Sequence, residues 1–476
     1  MTVGSIFSSC TDDFEKLNTS NIQVNPADLP FAAQCTEPMT YCYPPQQNMF
    51  QFWTNLTIDL YGGYFMTPNG NFTNGDMGEN RGHSGGMYEN YYLHIFNNTR
   101  RIIAQCDASG ERGLSGVMRI VQAYGTLMTT DAYGPIPYSS ILSGENEVYF
   151  EFDSQKDLYK AMLEDLSTAI TDISAMGADE IAKLKSFDCW CNGDKDLWVK
   201  IANTMKLRMA LRLSKRETEA SNAGMNLKAI ATEAAQNTLA TVNKDILIDK
   251  SLENEMWLMF NWGDCGFNAN LVTIMSGTKD PRQPLYMTLN TGDIKNEAGT
   301  TTVAANSQYL GIRFASGLPA KPNSWGSFSG WIQGNNGSSY SMPLPIMKAA
   351  EAYFLLAEAK LRWDIGSESV KNLYENGIRV SMTNELAYRG AYAGIKEYPE
   401  GAVDAYINGT STQIDYTDPI KAELSTPAVN KLSVKWDESA SNEEKLERII
   451  TQKWLALFPL STEGWAEQRR TGYPRF

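Results

Sequence analysis

The chain has 476 residues, 42% of them hydrophobic and 20% charged, which is the composition of a globular protein rather than a disordered or membrane-spanning one. Its formal net charge is −14, whereas a nucleic-acid-binding protein needs a concentrated basic surface, so the balance argues against such a partner. The chain has only two histidines, His83 and His94, so a histidine-based triad or a multi-histidine metal site is not expected.

The start of the chain resembles the end of a lipoprotein signal peptide. Phe7-Ser8-Ser9 precedes Cys10, and small residues before a cysteine are typical of a site that receives acyl chains. Polar residues follow, as in a tether. We therefore interpret residues 1–9 as a residual signal peptide or a tag, and we predict lipidation of Cys10, which would anchor the protein to a membrane without spanning it.

Six further cysteines remain, and their state is left open between disulfides and buried thiols. No CxxC pair occurs, and the spacing of Cys189-Trp190-Cys191 is too tight for a zinc knuckle. Asp76, Glu79 and Asp280 are carboxylates of the kind that binds calcium, but no EF-hand spacing supports a site at them. No metal site and no cofactor are predicted.

Apolar residues at helical spacing predict a mainly α protein. The predicted helices, in chain order, cover 46–62, 86–105, 112–131, 154–173, 196–214, 347–364, 370–378 and 442–458. Irregular structure is predicted for 11–45, for 65–85 and for much of 244–345. Because long loops that persist in compact domains are commonly functional, the last two segments are where a site is expected.

Two neighbouring helices suggest a particular architecture. Helix 347–364 ends at Gly366-Ser367, which gives a stop and a new cap, and a second helix follows at 370. Small residues such as Ala352, Ala359 and Gly377 would allow close approach. A pair of about 34 residues is typical of tetratricopeptide repeats, although no strict repeat recurs, so any array must be degenerate. The basic residues of helix 196–214 are expected to be solvated or ion-paired.

Three stretches carry recognisable motifs: Val117–Asp131 running into Ala132-Tyr133-Gly134-Pro135-Ile136-Pro137-Tyr138, Glu351–Ala359 followed by Tyr374–Arg379, and Ile450–Trp454 continuing through Glu463-Gly464-Trp465 to Arg469–Pro474. They resemble the SusD/RagB family of nutrient-binding outer-membrane lipoproteins, in its shorter-chain branch. With the Cys10 context and Asp13–Asn18 they extend over the whole chain. Each motif is weak alone, but their order and spacing make the match specific.

The resemblance implies a fold, a location and partners. The expected fold is a single domain, 10–476, of degenerate tetratricopeptide-like helix pairs, with a helical scaffold at about 46–240 and 343–470 and a loop-rich ligand-binding insertion at about 244–345. The expected location is the cell surface, on outer-membrane lipid through the acylated cysteine. The expected partner is a SusC-like TonB-dependent transporter, to which the protein would deliver a glycan or oligosaccharide without altering it.

Sugars present apolar ring faces edged by hydroxyl groups, so their site needs flat aromatic side chains beside Asn, Asp, Gln or Arg. Two segments have this composition. The predicted ligand-binding residues of the first are Tyr64, Phe72, Asn74, Asp76 and Arg81. Those of the second are Trp325, Phe328, Trp331 and Tyr340. Trp262, with Trp257 and Asp264, is a third candidate. At least one of Trp325 and Trp331 is expected to provide the stacking platform.

Three other functions stay open. The same ring-rich loops would suit a peptide ligand. A secreted glycoside hydrolase would need a pair of carboxylates, but with 55 acidic residues a close pair is uninformative, and neither a nucleophile elbow nor a P-loop occurs, so the protein is not expected to be an enzyme. Helix pairs can also serve as a pure protein-binding scaffold.

Overall fold

The structure is a computed structural model that describes residues 29–45, 47–76, 78, 80–143, 149–248 and 254–476, without the side chains of residues 335 and 336. The predicted acylation site Cys10 and residues 1–9 lie outside the described residues. The division of the chain near 244 and 345 stays a prediction, as does the span of the single domain.

Helices dominate the described part of the chain, which confirms the mainly α class. Their bounds are α1 Phe31–Tyr41, α2 Gln47–Phe50, α3 Ile58–Tyr61, α4 Arg81–Ser84, α5 Gly86–Asn90, α6 Asn97–Ser109, α7 Arg112–Tyr133, α8 Ser139–Leu142, α9 Gln155–Ser174, α10 Ala178–Lys185, α11 Lys195–Arg212, α12 Glu217–Asn222, α13 Leu227–Ala234, α14 Glu255–Asn261, α15 Ala269–Thr278, α16 Gln283–Tyr286, α17 Ala349–Trp363, α18 Val370–Ala393, α19 Ala402–Ile407, α20 Asn442–Leu457 and α21 Ser461–Thr471.

The strands are short and form two-stranded antiparallel ribbons in the described residues. They are β1 Phe65–Met66, β2 Ile136–Pro137, β3 Phe152–Asp153, β4 Ile246–Ile248, β5 Gly266–Phe267, β6 Met287–Asn290, β7 Ile294–Lys295, β8 Thr301–Val303, β9 Ser329–Trp331 and β10 Leu344–Met347. The ribbons pair β1 with β5, β2 with β3, β4 with β10, β6 with β9 and β7 with β8. Three of them therefore bring together parts of the chain that are distant in sequence.

The main hydrophobic core extends from Cys35 near the start of the described chain to Tyr473 near its end. At its centre α7 is buried on nearly every side and packs against α6 and α9. A helix that is apolar or small all round is the kind that a large core accepts. The N- and C-terminal helices therefore share one packed interior.

The predicted pair of helices is present as α17 and α18, which pack closely together. Gly377 of α18 faces the Phe354 ring of α17, and a Cβ there would lie 2.8 Å from Phe354 Cζ. A spacing of that kind is available to glycine alone. The expectation that small residues allow close approach is thus met at this position.

Several predicted elements differ from the structure. Residues 31–41, expected to be irregular, form α1, with Pro38 inside it. The predicted helices 46–62 and 86–105 each contain a π-helical turn, at Gln51–Asn55 and Tyr91–Phe96. The segment 244–345 contains α14, α15 and α16 among its ribbons. Its apolar stretches were too short to distinguish a buried helix from a strand by periodicity.

Two basic residues of α11, Lys206 and Arg208, are ion-paired and buried rather than solvated, whereas Lys200 is half-buried and donates to Asn237 Oδ1. Lys206 is 2% exposed and pairs with Glu233 at 2.9 Å. Arg208 is 1% exposed and makes a bidentate contact with Glu351, at 2.8 and 2.6 Å. Carboxylates from distant helices take the place of water here.

The start of α20 gives a direct test of local helix stabilisation. Ser441 Oγ accepts a hydrogen bond from the Glu444 backbone N–H, and Glu444 Oε2 accepts one from the Ser441 backbone N–H at 2.9 Å. We expect Ser441→Ala to lower the free energy of unfolding by about 1 kcal/mol, because the Glu444 backbone N–H loses its acceptor. Urea unfolding followed by circular dichroism measures it.

The control for the cap is Ser167→Ala within α9, where the hydroxyl donates only to the Leu163 carbonyl. This variant should stay within about 0.5 kcal/mol of the parent. Equal effects of the two substitutions would contradict a capping role for Ser441.

Candidate ligand-binding site

Three segments that are far apart in sequence converge on Asp264, which is buried. Its carboxylate accepts hydrogen bonds from Gln51 Nε2 and Asn69 Nδ2, both at 3.0 Å, and pairs with Lys321 Nζ at 2.6 Å. The Lys321 ammonium also donates to the Trp262 carbonyl at 2.9 Å. This set of contacts fixes the positions of residues 51–69, 262–264 and 321 relative to one another.

The loops 67–76 and 315–323 lie side by side. Gly70 N–H donates to the Pro319 carbonyl at 3.1 Å, and Ala315 N–H donates to the Gly75 carbonyl at 3.0 Å. The predicted ligand residue Asp76 accepts from the Gly317 N–H at 3.0 Å. The structure therefore joins the two loop segments that the sequence nominated separately, and Asp76 is part of that junction.

The most accessible aromatic pair of this region is Trp257 and Tyr340. Tyr340 is 44% exposed, Trp257 is half-buried, and their ring centroids lie 6.0 Å apart at 64°. The indole Nε1 of Trp257 donates to Gln333 Oε1 at 3.0 Å. A half-covered indole with an amide beside it is the combination that stacks on a sugar ring and hydrogen-bonds its hydroxyl groups.

A second group of rings lies on the early segment. The His83 ring stacks on Phe52 with centroids 4.8 Å apart and lies 6.2 Å from the Phe72 ring. His83 Nδ1 is 3.2 Å from Asn74 Oδ1, and Asn74 is fully buried. Burial lowers the pKa of His83, which favours a neutral ring at neutral pH.

The two aromatic groups belong to elements that touch. Helix α14, which carries Trp257, contacts both the π-helical turn that carries Phe52 and the 3₁₀ turn that carries Tyr340. We call this set of half-buried and exposed rings the aromatic rim. Its members are Phe52, Phe72, His83, Trp257, Trp262 and Tyr340.

Four of the predicted aromatic ligand residues pack the interior instead. Trp331 is 1% exposed and lies among Phe65, Phe260, Phe267 and Phe458. Its predicted role as a platform needs an open ring face, and this ring has none. It faces inward because β9 pairs with β6 over the core.

The other three are Trp325, Phe328 and Tyr64. Trp325 is 4% exposed, donates from Nε1 to Asp418 Oδ2 at 3.3 Å and belongs with Phe328 to a small core under the loops. Tyr64 is fully buried, stacks on Trp454 and donates to its carbonyl. We therefore do not carry these side chains into the proposed site, because the loops use their rings to attach to the scaffold.

The remaining predicted residues lie at or near the rim. Arg81 is exposed at the first position of α4, and Trp262 is half-buried directly after α14. The sequence argument missed Phe52, His83 and Lys321. Phe52 lay within the single predicted helix 46–62, and the π-helical turn at 51–55 changes which side chains point outward.

Other features of the described ranges bear on function. The six described cysteines are free thiols, and none of the ranges brings three His, Cys, Asp or Glu side chains together as ligands for a metal ion. Asp280 pairs with Arg282 in the interior, and Glu79 lies outside the described residues. No described helix has both the length and the apolar composition to cross a bilayer.

Pairs of helices form the frame of this protein, and the connecting loops carry most of the aromatic rim. The protein is therefore of the class in which a helical frame presents its candidate ligand-binding site on loops. The chain belongs to the SusD/RagB family: the SusD-like family model, described as Susd and RagB outer membrane lipoprotein, matches residues 15–476. No curated protein matches the chain.

Solved structures agree with the family. A chitin-binding SusD homologue from Flavobacterium johnsoniae is 26% identical, with a TM-score of 0.80 over 94% of this chain and 87% of that one. A SusD-like protein from Bacteroides thetaiotaomicron is 27% identical, with a TM-score of 0.77 over the same shares. A homologue from Bacteroides ovatus is 28% identical, with a TM-score of 0.76 over 93% and 86%.

Proposed function

We propose that this protein is a cell-surface lipoprotein, anchored through Cys10, that binds a glycan at the aromatic rim and delivers it unaltered to a SusC-like TonB-dependent transporter. The observation that carries the ligand class is the pair of Trp257 and Tyr340 beside Gln333, an accessible ring surface with a hydrogen-bonding amide. The chitin-binding homologue makes chitin oligosaccharides the first ligands to test.

The direct experiment is isothermal titration of the full chain with a panel of neutral oligosaccharides and peptides. The panel contains chitin oligosaccharides, starch fragments and mixed peptides. To test for cleavage, the protein is also incubated with each of them for a long period, and the products are analysed. We expect saturable binding of an oligosaccharide with no shortened product. Binding of peptides alone would assign a peptide cargo, and release of shorter sugars would assign a hydrolase.

Trp257→Ala is the sharpest test of the rim. Loss of the indole removes one stacking face and the Nε1 donor, and we expect a cost in binding of about 2 kcal/mol, or roughly a 30-fold rise in Kd for the oligosaccharide identified above. The titration is repeated with the variant, and circular dichroism checks that it is folded.

The matched control is Trp363→Ala. Trp363 is also half-buried and also donates through Nε1, to Glu217 at 2.8 Å, but it lies at the end of α17 on the scaffold. Its removal should leave the Kd unchanged. If Trp257→Ala binds as tightly as the parent, the rim is not the site.

A further inference from the structure

A groove of about 750 Å³ opens on the helical scaffold and shares no lining residue with the aromatic rim. It lies between the end of α7, the start of α9, the turn that leads into α12, and α21. Its floor is largely apolar and includes Leu213, Ala220 and Met225. A volume of this size accepts a short stretch of another chain.

More cations than carboxylates line the groove, although the protein is acidic. Its lining cations are Lys156, Arg212, Lys215, Arg216, Arg469 and Arg470. Its lining carboxylates are Asp131 and Glu219. Arg212 and Arg470 pair with buried carboxylates, and Arg216 pairs with Glu219, so these three cations add little net charge to the groove.

Three of these cations have no carboxylate partner among the described residues. Lys156 and Lys215 are exposed and engage none of the described side chains. Arg469 lies over the Trp465 ring at 3.8 Å and donates to the Asp131 backbone carbonyl at 2.5 Å. Burial lowers the pKa of Arg469, although the Asp131 carboxylate acts in the opposite direction.

Three exposed aromatic side chains directly precede the lining segment 154–159 in the chain. Phe152 on β3 is 64% exposed and lies two residues before Ser154, a lining residue. Tyr149 and Phe150 precede it, at 86% and 41%. Large apolar side chains clustered on a surface mark interaction sites, and aromatic residues with arginine are enriched where proteins meet.

We propose that this basic groove, with the aromatic strip 149–152 beside it, docks an acidic segment of a partner protein that carries apolar side chains between its carboxylates. Charge complementarity selects the acidic partner, because unpaired cations line the groove in a chain of net charge −14. A sugar polyanion fits less well, because the Tyr159 ring is buried in the floor and Arg469 covers a face of Trp465.

The test uses the full chain and a fluorescein-labelled peptide in which Asp-Glu pairs alternate with Phe, measured by fluorescence anisotropy. The comparison peptide has Asn-Gln pairs in the same positions. We expect the acidic peptide alone to bind. Raising NaCl from about 0.1 M to about 1 M shortens the screening length from about 10 Å to about 3 Å and should weaken that binding.

The decisive variant is Lys215→Glu with Arg216→Glu, both exposed positions. We expect at least a tenfold rise in Kd. The control, Lys396→Glu with Lys431→Glu, makes the same change in net charge at exposed positions outside the groove and should leave the Kd within twofold. Phe152→Ala, which leaves the net charge unchanged, should also weaken binding of the acidic peptide.

Three results would overturn the proposal. The acidic peptide could bind no better than its neutral counterpart. The control variant could weaken binding as much as the groove variant, which would mean that net charge alone acts. Finally, oligogalacturonate could bind in a manner sensitive to Lys215→Glu with Arg216→Glu while the peptide does not, which would assign the groove to an acidic saccharide.

Discussion

Glu351→Gln is expected to lower the free energy of unfolding by about 3–5 kcal/mol, because it leaves the guanidinium of Arg208 buried without its bidentate partner. Arg208 and Glu351 have side chains 1% and 0% exposed, so water cannot replace the lost charge. Urea unfolding of the parent and variant, followed by fluorescence and circular dichroism, measures the difference.

The size of this effect follows from the network around the pair. Its acids are Asp131, Glu351, Glu358, Glu463 and Glu467, and its bases are Arg208, Arg212, Lys453 and Arg470. They come from α7, α11, α17, α20 and α21. Burial alone would raise the pKa of Glu467, yet Arg470, Lys453 and Arg212 lower it well below its usual value.

Two variants make the result interpretable. Glu164→Gln removes an exposed acid 4.0 Å from Lys160 and should change the free energy of unfolding by less than about 0.5 kcal/mol. Glu351→Leu combined with Arg208→Met removes both charges and should recover part of the loss, because the cost lies in an unpaired buried charge. A Glu351→Gln variant within about 1 kcal/mol of the parent would refute a stabilising role for the network.

Asp59→Asn is expected to stabilise the protein at neutral pH by about 3 kcal/mol and to give little gain near pH 4. Asp59 is 2% exposed, and no cation lies within ion-pair distance of it in the described residues. Burial raises its pKa from 3.8 to about 6, against hydrogen bonds from Ser461 and Asn55 that lower it.

The sign follows from the protonation states. The folded protein holds the proton on Asp59 more tightly than the unfolded chain, so this group favours folding below about pH 4. That contribution disappears as the pH rises from about 4 through about 6, where the unfolded chain ionises more readily. The asparagine variant lacks this dependence, so its advantage over the parent should grow across that range.

Urea unfolding of both proteins at intervals from pH 4 to pH 8 measures the difference, and carboxylates common to both cancel. Asp437→Asn is the control with the opposite sign, because hydrogen bonds from Ser439 lower the pKa of this exposed carboxyl. The free energy of unfolding of the Asp437→Asn variant should therefore fall relative to that of the parent as the pH rises from the lower end of this range. If the gain in free energy of unfolding from Asp59→Asn were the same at every pH, the pKa of Asp59 would not be raised in the folded protein.

The buried network also gives a physical meaning to the sequence motifs that carry the family resemblance. Asp131 lies in the first motif, Glu351 and Glu358 lie in the second, and Lys453, Glu463 and Arg470 lie in the third. Arg470, for example, pairs with Glu358 and Glu467 in the interior.

The sequence by itself determined the mainly α class, the α17–α18 pair, the approximate boundaries of α7, α9, α11, α17 and α20, and the family. The prediction ended α18 at 378, whereas the helix continues to Ala393. Each correct prediction depends on local periodicity, on caps and stops, or on motifs read along the chain, and a helix of 15 residues such as α17 carries enough repeats to be recognised. The sequence also nominated the loop segments 64–81 and 325–340, which the structure brings together.

The tertiary structure alone decided which rings of those loops are accessible. Trp331 and Tyr340 are nine residues apart in similar glycine- and serine-rich surroundings, yet one is 1% exposed and the other 44%. Pairing of β9 with β6 turns Trp331 inward, and the junction at Asp264 sets where Trp257 lies. Burial in a loop depends on contacts distant in sequence, and no local pattern encodes them.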